Sequence, residues 1–208
     1  MKLTRILAFA VTAATAHAVA PFALNFDTLP SGTQANLFAP IGLDIEFGVY
    51  GPSLDGFGDP IPGTDHWSID STAPAVLAEN PLSYNYGAAP SPANALNAKE
   101  QTVLFLFDTP FNVTHFSTVL DNSTLGNLGP QNIEFYDAGD TLLYSLPTSQ
   151  SIPGFTASYD GLIPGVSKVV LPGNAFYDNV NVVPEPSAAA SLLGGLGVLL
   201  GWHRRRRA

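Results

Sequence analysis

Apolar residues in this chain come in short runs separated by turn formers, and the longest of these runs have the character of strands. Thr102-Val-Leu-Phe-Leu-Phe107 is a continuous β-prone apolar run, the pattern of a strand covered on both faces. Asp108-Thr109-Pro110 is expected to end it, and Phe111 to Leu120 then reads as a second strand. Ile133 to Tyr136 and Thr141 to Leu146 flank Asp137-Ala-Gly-Asp140, which predicts a hairpin with a glycine free to take positive φ at its turn. Val166 to Leu171 and Phe176 to Val183 are expected to pair and close the domain. No segment before the C-terminal region carries a helical period. Several alternating or fully apolar strands in roughly 165 residues predict an all-β fold of two antiparallel sheets packed face to face, a β-sandwich of jelly-roll kind.

The two ends of the chain break this pattern. Met1 to Ala18 runs from a basic start (Lys2, Arg5) through an apolar stretch (Ile6 to Ala14) to Ala16-His17-Ala18, the order of a secretory signal peptide. Cleavage by signal peptidase would leave Val19 as the mature start. At the other end, Ser187 to Trp202 is entirely apolar or small, and His203 to Ala208 contains four consecutive arginines. As a helix the apolar run would span about 24 Å, short of the roughly 30 Å hydrocarbon core, so it crosses a membrane only with help from its flanks. Trp202 suits the interface, and Arg204, Arg205, Arg206 and Arg207 would stay on the cytoplasmic side, leaving the preceding domain outside. The predicted organisation is therefore a signal peptide at 1–18, a β-domain at 19–183 and a C-terminal segment at 184–208.

Composition narrows the chemistry of the middle. The 208 residues include 18 prolines and 19 glycines, too many breakers for long helices. Between Val19 and Val183 sixteen acidic residues face only two lysines, Lys99 and Lys168, a formal balance of −14. Such a surface repels phosphate backbones and excludes nucleic acid as a natural partner, while suiting cations, neutral sugars or basic partners. The absence of cysteine removes disulfides, thiolate metal sites and cysteine nucleophiles. Catalysis is not expected: the domain's histidines are His66 and His115, and no Gly-x-Ser-x-Gly stretch is present. His115, within a strand pattern, reads as structural.

Val183-Pro184-Glu185-Pro186, followed by the short apolar run and by Arg204 to Arg207, resembles the PEP-CTERM sorting signal of Gram-negative bacteria. The resemblance implies recognition and processing by an exosortase, a membrane cysteine transpeptidase, with transient anchoring in the inner membrane and delivery to the cell surface or extracellular matrix. Asn25 to Gly32, Ile133 to Gly139 and Phe176 to Val182 look like segments of exported sandwich domains found ahead of such tails, similar in outline to galactose- and carbohydrate-binding modules. That likeness implies association with extracellular polysaccharide. It also implies first and last strands side by side with a structural calcium near their ends, which would gather Asn25, Asp27, Asp178 and Asn179. The acid-rich, thiol-free composition favours oxygen ligands of this kind. A purely architectural role for Asp178 and Asn179, bonding the backbone of the N-terminal strand and fixing its register, is the competing expectation.

Two further features remain. The loop Asp55-Gly-Phe-Gly-Asp59, with Asp65 following, is a second place where glycines free the backbone to wrap a cation. Tyr50, Trp67, Tyr84 and Tyr86, with Phe57, fall in the glycine- and proline-rich stretch from Phe47 to Pro92, and their rings are candidates for stacking on pyranose faces. The alternative functions are an exported glycan-active hydrolase built on paired carboxylates, or a simple membrane-anchored surface protein. Asn112-Val113-Thr114 and Asn122-Ser123-Thr124 match a glycosylation pattern to which no role is attached in a bacterial setting.

Overall fold

Strands form where the apolar runs predict them, but the longest passes through the residues expected to end it. The structure, a computed structural model, describes residues 21–27, 29–34, 42–57, 59–73, 75–79, 94–98, 101–121, 132–148, 155–173 and 175–185. Among these lie strands β1 (Phe22–Leu24), β2 (Thr33–Gln34), β3 (Leu43–Gly51), β4 (His66–Ile69), β5 (Leu77–Glu79), β6 (Ala95–Asn97), β7 (Thr102–Asp121), β8 (Asn132–Tyr136), β9 (Leu142–Pro147), β10 (Phe155–Leu171) and β11 (Phe176–Pro184). The pairings between them are antiparallel. The described residues contain no helix.

β7 and β10 organise everything else. They pair along most of their lengths, from Phe155↔Leu120 to Leu171↔Val103, with register shifts between Asp160 and Lys168. The last of these, between Val166 and Lys168, faces Asp108-Thr109-Pro110, so these residues interrupt the ladder without ending the strand: Pro110 has no amide proton to donate. The interruption divides the ribbon in two. Its first half, Thr102 to Phe107 of β7, pairs with β3, and the adjoining part of β10 pairs with β8, which continues into β9. Its second half pairs with β11, which adds β1 and β6 on its far edge. The expected pairing of Val166–Leu171 with Phe176–Val183 is therefore corrected: β7 lies between β10 and β11 and bonds to both.

The two halves face each other. Phe116 of the second half meets Phe135 of β8 edge to face with centroids 5.1 Å apart, Tyr144 of β9 meets Tyr159 of β10 at 4.2 Å, and Phe22 of β1 meets Phe107 at 5.9 Å. One apolar cluster runs between the layers, including Ile45, Phe47, Val103, Phe105, Phe116, Ile133, Phe135, Val169, Tyr177 and Val182, all essentially inaccessible. Each fully buried large apolar side chain contributes about 1.5–3 kcal/mol, so this packing is a main source of cohesion in a domain without disulfides. Tyr177 is held within it by a hydroxyl bond of 2.7 Å to the Pro172 carbonyl, and burial raises its pKa. The arrangement is sandwich-like and all-β.

The predicted β8–β9 hairpin is present. Asp137 Oδ1 accepts the amides of Gly139 and Thr141, both at 2.8 Å, and these backbone donors, Thr141 first, hold its carboxyl below the usual range. Asp140, not the glycine, takes the positive φ of 60°.

Candidate functional site

The ends of β1 and β11 bring together the four residues expected at a calcium site. β1 lies against β11 with Leu24 opposite Val180. Asp178 is fully buried, and its Oδ1 accepts the amide of Phe26 at 3.1 Å, while its own carbonyl accepts the Thr118 hydroxyl at 3.0 Å. Asn179 takes a left-handed φ of 50°, which asparagine tolerates, and marks the register shift between Asp178 and Asn181. Its side chain accepts a long bond of 3.5 Å from Asn25 Nδ2, and Asn25 Oδ1 in turn accepts the Asp27 amide at 2.8 Å. Asp27 Oδ1 accepts the amide of Asn94 at 3.4 Å. These bonds tie the chain after β1 to the bulge in β11, the architectural duty expected for Asp178 and Asn179. Among the described residues no three His, Asp or Glu side chains converge as metal ligands. In the 55–59 loop, Asp55 Oδ1 accepts the amides of Phe57 at 2.8 Å and Asp59 at 2.9 Å, so this carboxylate closes its own loop.

Of the candidate aromatic residues, Tyr50 and Trp67 fall together on one outer surface. Along β7 side chains alternate: Val103, Phe105 and Phe107 enter the main core, whereas Leu104 and Leu106 belong to a second apolar cluster with Tyr136, Val170 and Trp67. Gly48 makes this possible, because a Cβ there would sit 2.5 Å from Leu104 Cγ. Trp67 lies 5.2 Å from Tyr50 across the β3–β4 ladder, with the rings tilted at 56°. Polar groups frame the cluster. Tyr136 donates its hydroxyl to Glu134 at 2.6 Å, and Lys168 donates to the Trp67 carbonyl at 3.1 Å and pairs with Asp140. Burial, then the Glu134 carboxylate, pushes the Tyr136 phenol up to about 12.

Sequence reasoning singled out Tyr50 and Trp67 but missed Lys168, the one basic side chain of this face among the described residues. The β3–β4 hairpin overhangs the sheet, since β7 pairs only with Leu43 to Gly48 and β4 only with Gly48 to Gly51. Strongly exposed apolar side chains concentrate there: Val49, Leu54, Ile61 and Ile69, with Tyr50 at 55% and Phe57 at 95%. Val49, Leu54, His66 and Ser68 line a shallow open depression on the hairpin face opposite Tyr50 and Trp67. Tyr84 and Tyr86 lie outside the described residues.

The end of β11 carries the third arrangement. Val183 pairs with His115 and Pro184 with Val113. Thr114 Oγ1 donates to the Val183 carbonyl at 3.0 Å. The Glu185 amide donates to the Asn112 carbonyl at 2.7 Å, and Asn112 Nδ2 donates to the Glu185 carboxylate at 2.6 Å. The compact unit containing the strands ends at this residue. Residues 182–207 match the PEP-CTERM protein-sorting motif. The motif implies an exported protein that is processed by an exosortase and sorted to the cell surface. No curated protein matches the chain. The match covers Val183, Pro184, Glu185 and Pro186 together with Arg204 to Arg207; Pro186, the 187–202 segment, the arginines and the 1–18 segment lie outside the described residues. Among the described residues no helix is long and apolar enough to cross a membrane.

His115 has partners that the sequence did not reveal. Its Nδ1 lies 2.6 Å from Asp160 Oδ1 and its Nε2 lies 3.2 Å from Ser117 Oγ. These groups come from facing strands of one ladder, and the Asp160 side chain is 84% exposed. The arrangement supports the structural reading of His115 as a cross-strand contact on a solvated sheet face.

Proposed function

We propose that this is an exosortase-sorted surface or matrix protein whose β-domain associates with neutral extracellular polysaccharide through the Tyr50–Trp67 face. The observation that carries the second half of the reading is the tilted ring pair of exposed Tyr50 and half-buried Trp67 on an overhanging hairpin, beside the hydrogen-bonding groups of Tyr136, Glu134 and Lys168. Rings of this kind cover the apolar faces of pyranoses while neighbouring polar groups bond to hydroxyls. The acid excess directs the partner toward uncharged glycans and away from polyanions. In this reading the domain is a jelly-roll sandwich of the carbohydrate-binding-module kind, supported by its two packed halves and the adjacency of β1 and β11. The N-terminal 18 residues serve as a signal peptide, and the 187–202 segment parks the protein in the inner membrane, with Arg204 to Arg207 on the cytoplasmic side, until processing.

Binding to a panel of neutral and acidic polysaccharides tests the proposal. Trp67→Ala and Tyr50→Ala are expected to weaken retention on a neutral glycan at least tenfold, equivalent to about 1.4 kcal/mol. Wild-type retention equal to that of the double variant on every glycan refutes the surface assignment. Deleting the exosortase is expected to leave the protein unprocessed, and unchanged mass and surface retention refute the sorting assignment.

A further inference from the structure

The matched sorting segment begins inside the folded domain. Val183 and Pro184 are the last residues of β11, Pro184 is buried, and both are paired with β7. Glu185 is tied by its amide and by its carboxylate to Asn112. Asn112 is itself held in place: its Oδ1 accepts the amide of Gly165, in β10, at 3.0 Å. One asparagine side chain thus clips the third strand of the ladder to the first acidic residue of the motif, using its acceptor on one side and its donor on the other.

A partner that reads Val183 to Glu185 as an extended segment needs the same groups that β7 now occupies. It needs the free backbone edge of the strand, and it needs the Glu185 carboxylate, the only charge in Val183 to Pro186. We infer that Asn112 and Thr114 form a clasp that withholds the sorting motif, so that the exosortase engages it only after the last three residues of the domain peel from β7. The inference rests on the exosortase reading above and adds the residues that control access. It also gives a duty to Asn112-Val113-Thr114, a triplet whose spacing places both side chains beside the end of β11. Asn112 and Thr114 are positioning residues, acting through the segment they hold.

The test uses the full chain expressed with an exosortase, with processing followed by intact mass over time beside a control substrate cleaved in the same cells. Asn112→Asp keeps an acceptor for Gly165 and loses the donor to Glu185, placing two carboxylates against each other. It is expected to raise the processing rate about tenfold, and Thr114→Val to raise it a few-fold. A cysteine pair, His115→Cys with Val183→Cys, introduced into this cysteine-free chain would staple β11 to β7. When oxidised it is expected to block processing, and when reduced to restore it, so the altered motif residue is its own control. Amide exchange at Glu185 should quicken in Asn112→Asp while exchange in β8 stays unchanged, which separates release of the clasp from loss of the fold. Wild-type processing with the same rate in both substitutions and in the oxidised staple overturns the clasp alone. No processing of any form beside a cleaved control overturns the exosortase reading and the clasp with it.

Discussion

Replacing Asp178 by alanine separates the two duties that the sequence allows for this residue. Asp178 is inaccessible to solvent, and its Oδ1 accepts the amide of Phe26, a residue that is also fully buried. Alanine leaves that amide buried without its acceptor, a penalty of about 1–3 kcal/mol. In a domain of this size each kcal/mol lowers Tm by about 2–4 °C, so a loss near 2 kcal/mol becomes a drop of about 4–8 °C. Asp178→Asn keeps an oxygen for the amide and should lose less. Thermal unfolding of the purified protein, followed by far-ultraviolet circular dichroism with and without a calcium chelator, reads both effects. If Asp178 serves the backbone, the chelator leaves the wild-type Tm unchanged and the alanine deficit persists in its presence. An alanine variant melting within 1 °C of wild type would refute the argument. Chelation that lowers the wild type to the level of the alanine variant would replace it with an ion at Asn25, Asp27, Asp178 and Asn179.

Two other outcomes follow from the second apolar cluster. Gly48→Ala places a Cβ 2.5 Å from Leu104 Cγ and 2.7 Å from both of its methyls, and such overpacking should cost about 1–3 kcal/mol in urea denaturation; a change below about 0.5 kcal/mol would mean that Leu104 moves aside freely. Tyr136 should ionise at about 12, read as the difference in phenolate absorbance between wild type and Tyr136→Phe. Because its folded pKa lies above the unfolded value near 10, the neutral phenol's contribution is fully present below pH 10 and is lost as pH rises from there through about 12. A phenol titrating near 10 in the folded protein would contradict its burial.

The apolar strand runs within Thr102–Leu120, Val166–Leu171 and Phe176–Val183, the β8–β9 hairpin and the sorting segment were legible in the sequence because each depends on residues close together in the chain, whereas β2 to β6 and the first half of β10 were not singled out. Alternation fixes which side chains share a face, Asp137 bonds amides two and four residues away, and the Pro-Glu-Pro step with its arginines is contiguous. Adjacency of Asp178 to the N-terminal strand was also anticipated, through resemblance to known sandwich domains. Partner choice between strands was not legible. Nothing local tells Asp108-Thr109-Pro110 to bend a strand instead of ending it, because that depends on β10 shifting its register opposite them. Likewise Val166–Leu171 and Phe176–Val183 looked like neighbours because they are close in sequence, whereas β7 fits between them and satisfies an edge of each. The sequence by itself determined that the domain is all-β, that the chain is acidic and free of cysteine, and that it is marked by a sorting motif. Only the tertiary structure decided that Lys168 reaches Trp67, and that Asn112 and Thr114, about seventy residues upstream, bond to Glu185 and Val183. Those contacts are made across ladders, where sequence separation carries no information about distance.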